Sequence, residues 1–180
     1  INENTVNENG GYGIMISGRS NTINENIINN NEKVGLSLGS LEPMAFPINL
    51  YNSVTKNTLE GNELISILIV GGVENRISEN RIINNPRADG IVITNMLDPI
   101  IPSEENIIIS NTITGNKNGI RINGGQKYNI IERNIIRDNL EKGFLIKDNA
   151  RSNIIRGNTM CYNGLDLRCE RIDTPNGYFS

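Results

Sequence analysis

Histidine and tryptophan are absent from this chain, and it holds two cysteines in 180 residues. Without imidazole, a His-based acid–base centre and a His-ligated metal are excluded. Phe, Tyr and Trp together supply 4% of the residues, so ring surface for stacking is scarce. No apolar run is long enough to cross a membrane as a helix. The net charge of −3 leaves no electrostatic footprint for nucleic acid. No 3.6-residue apolar period is sustained, so helix is not expected. Neither a metal nor a cofactor is expected. Cys161 and Cys169 allow two readings: unrelated thiols, or a disulfide tightening the last coil of a secreted protein.

What the chain does have is asparagine on a fixed beat. The phrase N-x-I-x-x-N-x-I-x-x-N, followed by G-I-x-I, opens at Asn21, Asn52, Asn75, Asn106, Asn129 and Asn153. Its second Asn falls at 26, 57, 80, 111, 134 and 158, and its third at 31, 62, 85, 116, 139 and 163. An earlier partial copy supplies Asn4 and Asn9. A unit of about 23 residues cannot bury an apolar face alone, so stacked copies must share a core.

Within each copy apolar and polar residues alternate with the strand period. Aligned copies give four apolar columns, running through Ile77, Ile82, Ile91 and Ile93 in the central repeat. Many of these residues are β-branched, which suits pleated strands. The expected fold is all-β: a right-handed parallel β-helix of about seven coils with three short strands each. The Asn residues belong at corners, where an amide satisfies local backbone groups and tolerates left-handed conformations. The solenoid is expected over residues 1–171, incomplete at both ends, with 172–180 the start of a further coil or a tail. Ile1 to Asn4 repeats Ile23 to Asn26 letter for letter, which reads as an opening inside a coil.

Two coils carry insertions after the third strand, Leu41 to Pro47 and Leu97 to Pro102. Insertions at one corner of a solenoid mark one face, so these are expected to flank a groove. The third strand is expected to expose a row comprising Met15, Ser37, Leu68, Val92, Arg121, Leu145 and Asp166. Beside it, Asn123, Lys147, Asp148 and Arg168 complete a mixed-charge constellation. A cation there neutralises a uronate carboxylate, and Lys147 or Arg168 takes an α-proton, which is lyase or epimerase logic. The candidate catalytic residues are therefore Arg121, Lys147 and Asp166. Asn123, Arg168, Asp98, Glu42 and Tyr51 are candidate ligand contacts. Ile107, Ile130 and Ile154 share one outward position and predict an exposed apolar ladder for self-association or a neighbouring domain.

The Asn-cornered repeat over residues 1–168 resembles the right-handed parallel β-helix proteins of the pectate-lyase-like superfamily. Within them it resembles the NosD-like and carbohydrate-binding, sugar-hydrolase repeats. The resemblance implies a polysaccharide partner and an extracellular or cell-surface location. Three enzyme signatures of such proteins are missing. The strand face lacks the clustered acids of calcium-dependent lyases, and it lacks the converging aspartates of polygalacturonase-like hydrolysis. Asp98-Pro99 is followed by Ile100 instead of the His of epimerase-like proteins. Two functions remain: a carbohydrate-associated β-helix that binds or processes a polysaccharide, or a structural or adhesive rod of a surface, spore or phage fibre.

Overall fold

The computed structural model describes residues 1–39, 49–97, 100–123, 125–147, 150–164 and 168–174. Glu42, Asp98, Asp148 and Asp166 lie outside the described residues, as does the whole of the first insertion. Among the described residues there are strands and turns and no helix.

The apolar columns read from the sequence are the strand registers. In the first sheet Ile23, Val54, Ile77, Ile108, Ile131 and Ile155 are successive parallel partners. In the second, Val6, Ile28, Leu59, Ile82, Ile113, Ile136 and Met160 are. In the third, Ile14, Leu36, Ile67, Ile91, Ile120 and Phe144 are. Because strand residues alternate faces, one register fixes the whole inward set. Those inward residues form a single cluster running down the stack, fully buried in its middle.

Three ladders of Asn amides line the corners. Asn80 shows the pattern. Its Oδ1 accepts from both the main-chain N–H and the Nδ2 of Asn57, at 2.9 and 3.0 Å. Its own Nδ2 donates to Val54 O at 2.9 Å and to Asn111 Oδ1 at 3.0 Å. Both donors and both acceptor positions of the amide are thus used. Asn111 and Asn134 repeat the arrangement, and all three side chains are buried.

The left-handed residue, expected at the Asn, is the residue before it. Glu25, Lys56, Glu79, Ser110 and Arg133 precede the second-corner asparagines with φ between 53 and 58°. The side chain at that site points to solvent, so almost any residue type occurs there. The Asn that follows stays inside, where its amide accepts from one neighbouring coil and donates to the other.

A fourth, shorter ladder was not read from the sequence. Three residues before the opening Asn stand Gly18, Asn49, Gly72, Ser103 and Gln126 in turn. Gly18 N–H donates to Asn49 Oδ1, Gly72 N–H to Ser103 Oγ, and Ser103 N–H to Gln126 Oε1. Its polar members differ in type, which hid the period.

Two strand pairs depart from the parallel rule. Met96–Leu97 pairs antiparallel with Ile100–Ile101 within the second insertion. Cys169–Thr174 runs antiparallel along Ile154–Cys161, the last coil, and Cys161 is disulfide-bonded to Cys169. Cys169–Thr174 thus lies along the outer edge of Ile154–Cys161. Ile154–Cys161 is one continuous strand across the first two sheets, which gives the covering strand a long partner.

The row Ile107, Ile130, Ile154 is in register as expected. Ile107 and Ile130 are half-buried, while Ile154 is exposed, so the ladder is a graded ridge in place of an open apolar stripe.

Candidate functional site

The third sheet holds the candidate face, and its middle is closed. Ser37, Leu68 and Val92, expected as an outward substrate-facing row, are buried, with Leu68 at 0% exposure. Val34, Ile65, Leu68, Val70 and Val92 form a second apolar cluster with Tyr12 packed against it. The physical reason lies in composition. Strands Val34–Leu38, Ile65–Val70 and Asp89–Thr94 are apolar on both faces, and a two-sided apolar strand is stable only when both sides leave water. Across this part of the sheet the outward row is therefore buried.

Beyond Val92 the face turns polar. Asp89, which pairs with Ile65 across the sheet, is a buried carboxylate. Its Oδ2 lies 3.1 Å from Arg121 Nη1, and its Oδ1 accepts from Asn118 Nδ2 at 2.8 Å. Asn118 Nδ2 also reaches Glu141 Oε2 at 3.4 Å, and Glu141 pairs with Lys117 at 3.9 Å. Arg121 is half-buried, with a side-chain exposure of 29%. The Arg121 guanidinium is thus ion-paired with a buried acid.

Lys147 is exposed, and its main-chain N–H continues the sheet to Ile122 O at 2.9 Å. Asn123 is half-buried, and its main-chain N–H donates to Ile93 O at 3.0 Å. Lys142, paired with Asn118 across the sheet, is exposed as well. Lys117, Arg121, Lys142 and Lys147 against Asp89 and Glu141 give the described residues of this face a positive balance. Arg168 is exposed and lies on the antiparallel closing segment, its carbonyl accepting from Tyr162 N–H at 3.1 Å. It therefore does not continue the row of Asn123 and Lys147. Tyr51 is an exposed left-handed corner residue at 54% exposure. Tyr128 holds the equivalent corner three coils further on, about 14 Å along the stack. It is Tyr128, and not Tyr51, that follows Arg121 in the same coil. Lys127 Nζ lies 5.5 Å from the Tyr128 ring centroid and 3.6 Å from Glu104 Oε1.

Asp89 and Asn118 were missed because they sit just before the glycine of G-I-x-I, a position read as turn. The signal was present in the column itself, which runs Tyr12, Val34, Ile65, Asp89, Asn118, Lys142. It changes from apolar to polar at the coil where the second cluster ends.

Residues 52–169 match the family described as "Right handed beta helix region", whose handedness is the one expected from parallel crossovers. No curated protein matches the sequence. Among solved structures, the chain is similar to pectate lyase Pel9A, with a TM-score of 0.67 and 21% identity over 90% of this chain and 43% of that one. It is also similar to the Azotobacter vinelandii mannuronan C-5 epimerase AlgE6 A-module, with a TM-score of 0.64 and 18% identity over 89% of this chain and 51% of that one. The chain spans about half the length of the structures it matches. At these identities the likeness is one of fold.

Proposed function

We propose, from the premise that this chain belongs to the right-handed β-helix family, that it is a carbohydrate-associated module binding an extracellular or surface polysaccharide. The observation that carries the reading is the preorganised polar end of the third sheet. There Asp89, which accepts from Asn118, pairs with Arg121 on a strand beside Asn123 and Lys147. Planar amide, carboxylate and guanidinium groups locked by their own hydrogen bonds suit the recognition of hydroxyl and carboxylate groups. The positive balance of the face suits an acidic glycan, so the proposed ligand class is a polyuronate. The solved structures of similar fold, a pectate lyase and a mannuronan epimerase by name, support a carbohydrate partner. The disulfide fits an oxidising compartment, in keeping with an extracellular or surface role.

The commitment is to binding. In lyase or epimerase chemistry Arg121 would act as an uncommitted charge at the carboxylate, and its bond to Asp89 opposes that role. Lys147 remains the candidate for proton transfer. The structural-rod reading is favoured by a different observation, the unbroken amide ladders and the covered edge of the last coil.

Isothermal titration with trimers of galacturonate, mannuronate and glucose tests the proposal. A uronate trimer is expected to bind, the glucose trimer to bind more weakly, and the double variant R121A/K147A to lose at least tenfold in affinity with an unchanged circular dichroism spectrum. Equal affinity of wild type and double variant for a uronate trimer would move the site elsewhere. Absence of binding to all three would favour the rod.

A further inference from the structure

We infer that Tyr128 is an aromatic platform that carries the glycan site around the corner from the third sheet, where it stacks a further sugar ring of an acidic chain longer than a trimer. The inference rests on the carbohydrate reading above and adds a residue to that site. It starts from a backbone cost. The residues before the opening asparagines, Ser20, Tyr51, Glu74, Glu105, Tyr128 and Ser152, are all left-handed, with Tyr128 at φ 61°. A bulky side chain is disfavoured in that conformation, and strain of this kind gathers at functional positions. The corner itself needs no ring, since Ser and Glu hold the same place in other coils.

The corner aims the ring outward. Tyr128 is 51% exposed, and its main-chain N–H donates to Ser152 O at 3.2 Å, which ties it to the next coil. Lys127 Nζ lies over the ring at 5.5 Å from its centroid, and Glu104 Oε1 stands 3.6 Å from that ammonium. A tyrosine ring offers a broad apolar face, which matches the C–H side of a pyranose. The cation beside it suits a carboxylate on the stacked sugar.

The path from the sheet to the ring is short and positive. Lys147 N–H donates to Ile122 O, which sets Lys147 beside Asn123, and Asn123 precedes Tyr128 by five residues. Five residues span at most roughly 18 Å when fully extended. Arg151 pairs with Lys127 across the coils and is exposed. Among the described residues, Lys147, Arg151 and Lys127 thus line the way, and Glu104 offsets one of the three charges. Glu105, the exposed corner residue one coil earlier, repels an acidic chain from the other side. The chain therefore reaches the ring from the Lys147 side.

Isothermal titration with galacturonate and mannuronate trimers and hexamers tests this on the wild type, Tyr128→Ala, Tyr128→Phe and R121A/K147A. Tyr128→Ala is expected to bind a uronate hexamer about tenfold more weakly than the wild type does, the loss of one well-stacked ring. Its trimer affinity and circular dichroism spectrum should match those of the wild type. Tyr128→Phe should keep the hexamer affinity, because the ring carries the contact. Unchanged hexamer affinity in Tyr128→Ala, with R121A/K147A weakened, overturns the platform and leaves the sheet site standing. A trimer affinity that falls as far as the hexamer affinity puts the ring inside the sheet site and overturns the extension. No binding of any uronate oligomer by the wild type overturns the carbohydrate reading, and the platform with it.

Discussion

At the scale of the residue, the asparagine amide is the unit that ties coil to coil. A buried backbone N–H at each corner finds its acceptor in the side chain of the next repeat, as Asn80 N–H does in Asn111 Oδ1 at 2.9 Å. Removing that oxygen leaves the donor buried and unpaired. Asn111→Ala is therefore expected to lower stability by about 1–3 kcal/mol, read by urea denaturation. The residue before each Asn tests the other half of the corner. Glu79 holds φ at 58°, a conformation that disfavours side chains by about 1–2 kcal/mol. Glycine relieves that strain but loses about 0.5–1 kcal/mol of unfolded-chain entropy. Glu79→Gly is thus expected to be neutral to stabilising by about 1 kcal/mol, against the usual penalty for glycine in a β protein. A loss of more than about 1 kcal/mol would mean that the Glu79 side chain makes a contact the corner geometry does not require. The sequence announced the asparagines by their period. It did not announce the left-handed residues, because solvent-facing side chains there follow no pattern.

At the scale of the element, strand registers were legible and strand environments were not. Ile67, Ile91 and Ile120 were assigned inward from alternation alone, and they are inward partners. Leu68 and Val92 were assigned outward by the same rule, and they do point outward, but into a second apolar cluster. Alternation reports which side a residue faces; it cannot report whether that side is wet. The glycines of G-I-x-I are a separate constraint. A Cβ built on Gly90 would lie 2.6 Å from Gly119 O and 2.7 Å from Ile113 Cγ2. Gly90→Ala is expected to destabilise by about 1–3 kcal/mol through overpacking, measured by thermal unfolding. On the same strand, Asp89→Asn removes the carboxylate that holds Arg121. It is expected to lower stability by about 1–3 kcal/mol and to weaken glycan binding, whereas Asp89→Glu, if it re-forms the pair, should restore part of both. A stability loss with binding unchanged would reduce Asp89 to a purely structural role.

At the scale of the whole molecule, the solenoid was readable from end to end because every coil obeys one rule. The candidate site was readable only in part because a site is where the rule is broken. Arg121 and Lys147 stood out as charges in a column of aliphatics. Their meaning depended on Asp89, which stands one residue before the glycine of its repeat, in a column that turns polar only at that coil. The covering strand was missed for a related reason. Cys169–Thr174 carries no repeat, and it is tied to the coil before it by a disulfide and by backbone pairing.

The most direct test of the central claim, that the polar end of the third sheet is a glycan-binding face, is a ¹H–¹⁵N NMR titration of the oxidised chain with galacturonate and mannuronate trimers. The account predicts saturable shifts concentrated in Asn118–Ile122 and Lys142–Ile146 and at Asn123 and Lys147, with Leu68 and Val92 amides unmoved. Saturable shifts confined to another sheet or to the corners, or spectra unchanged by either trimer, would contradict it.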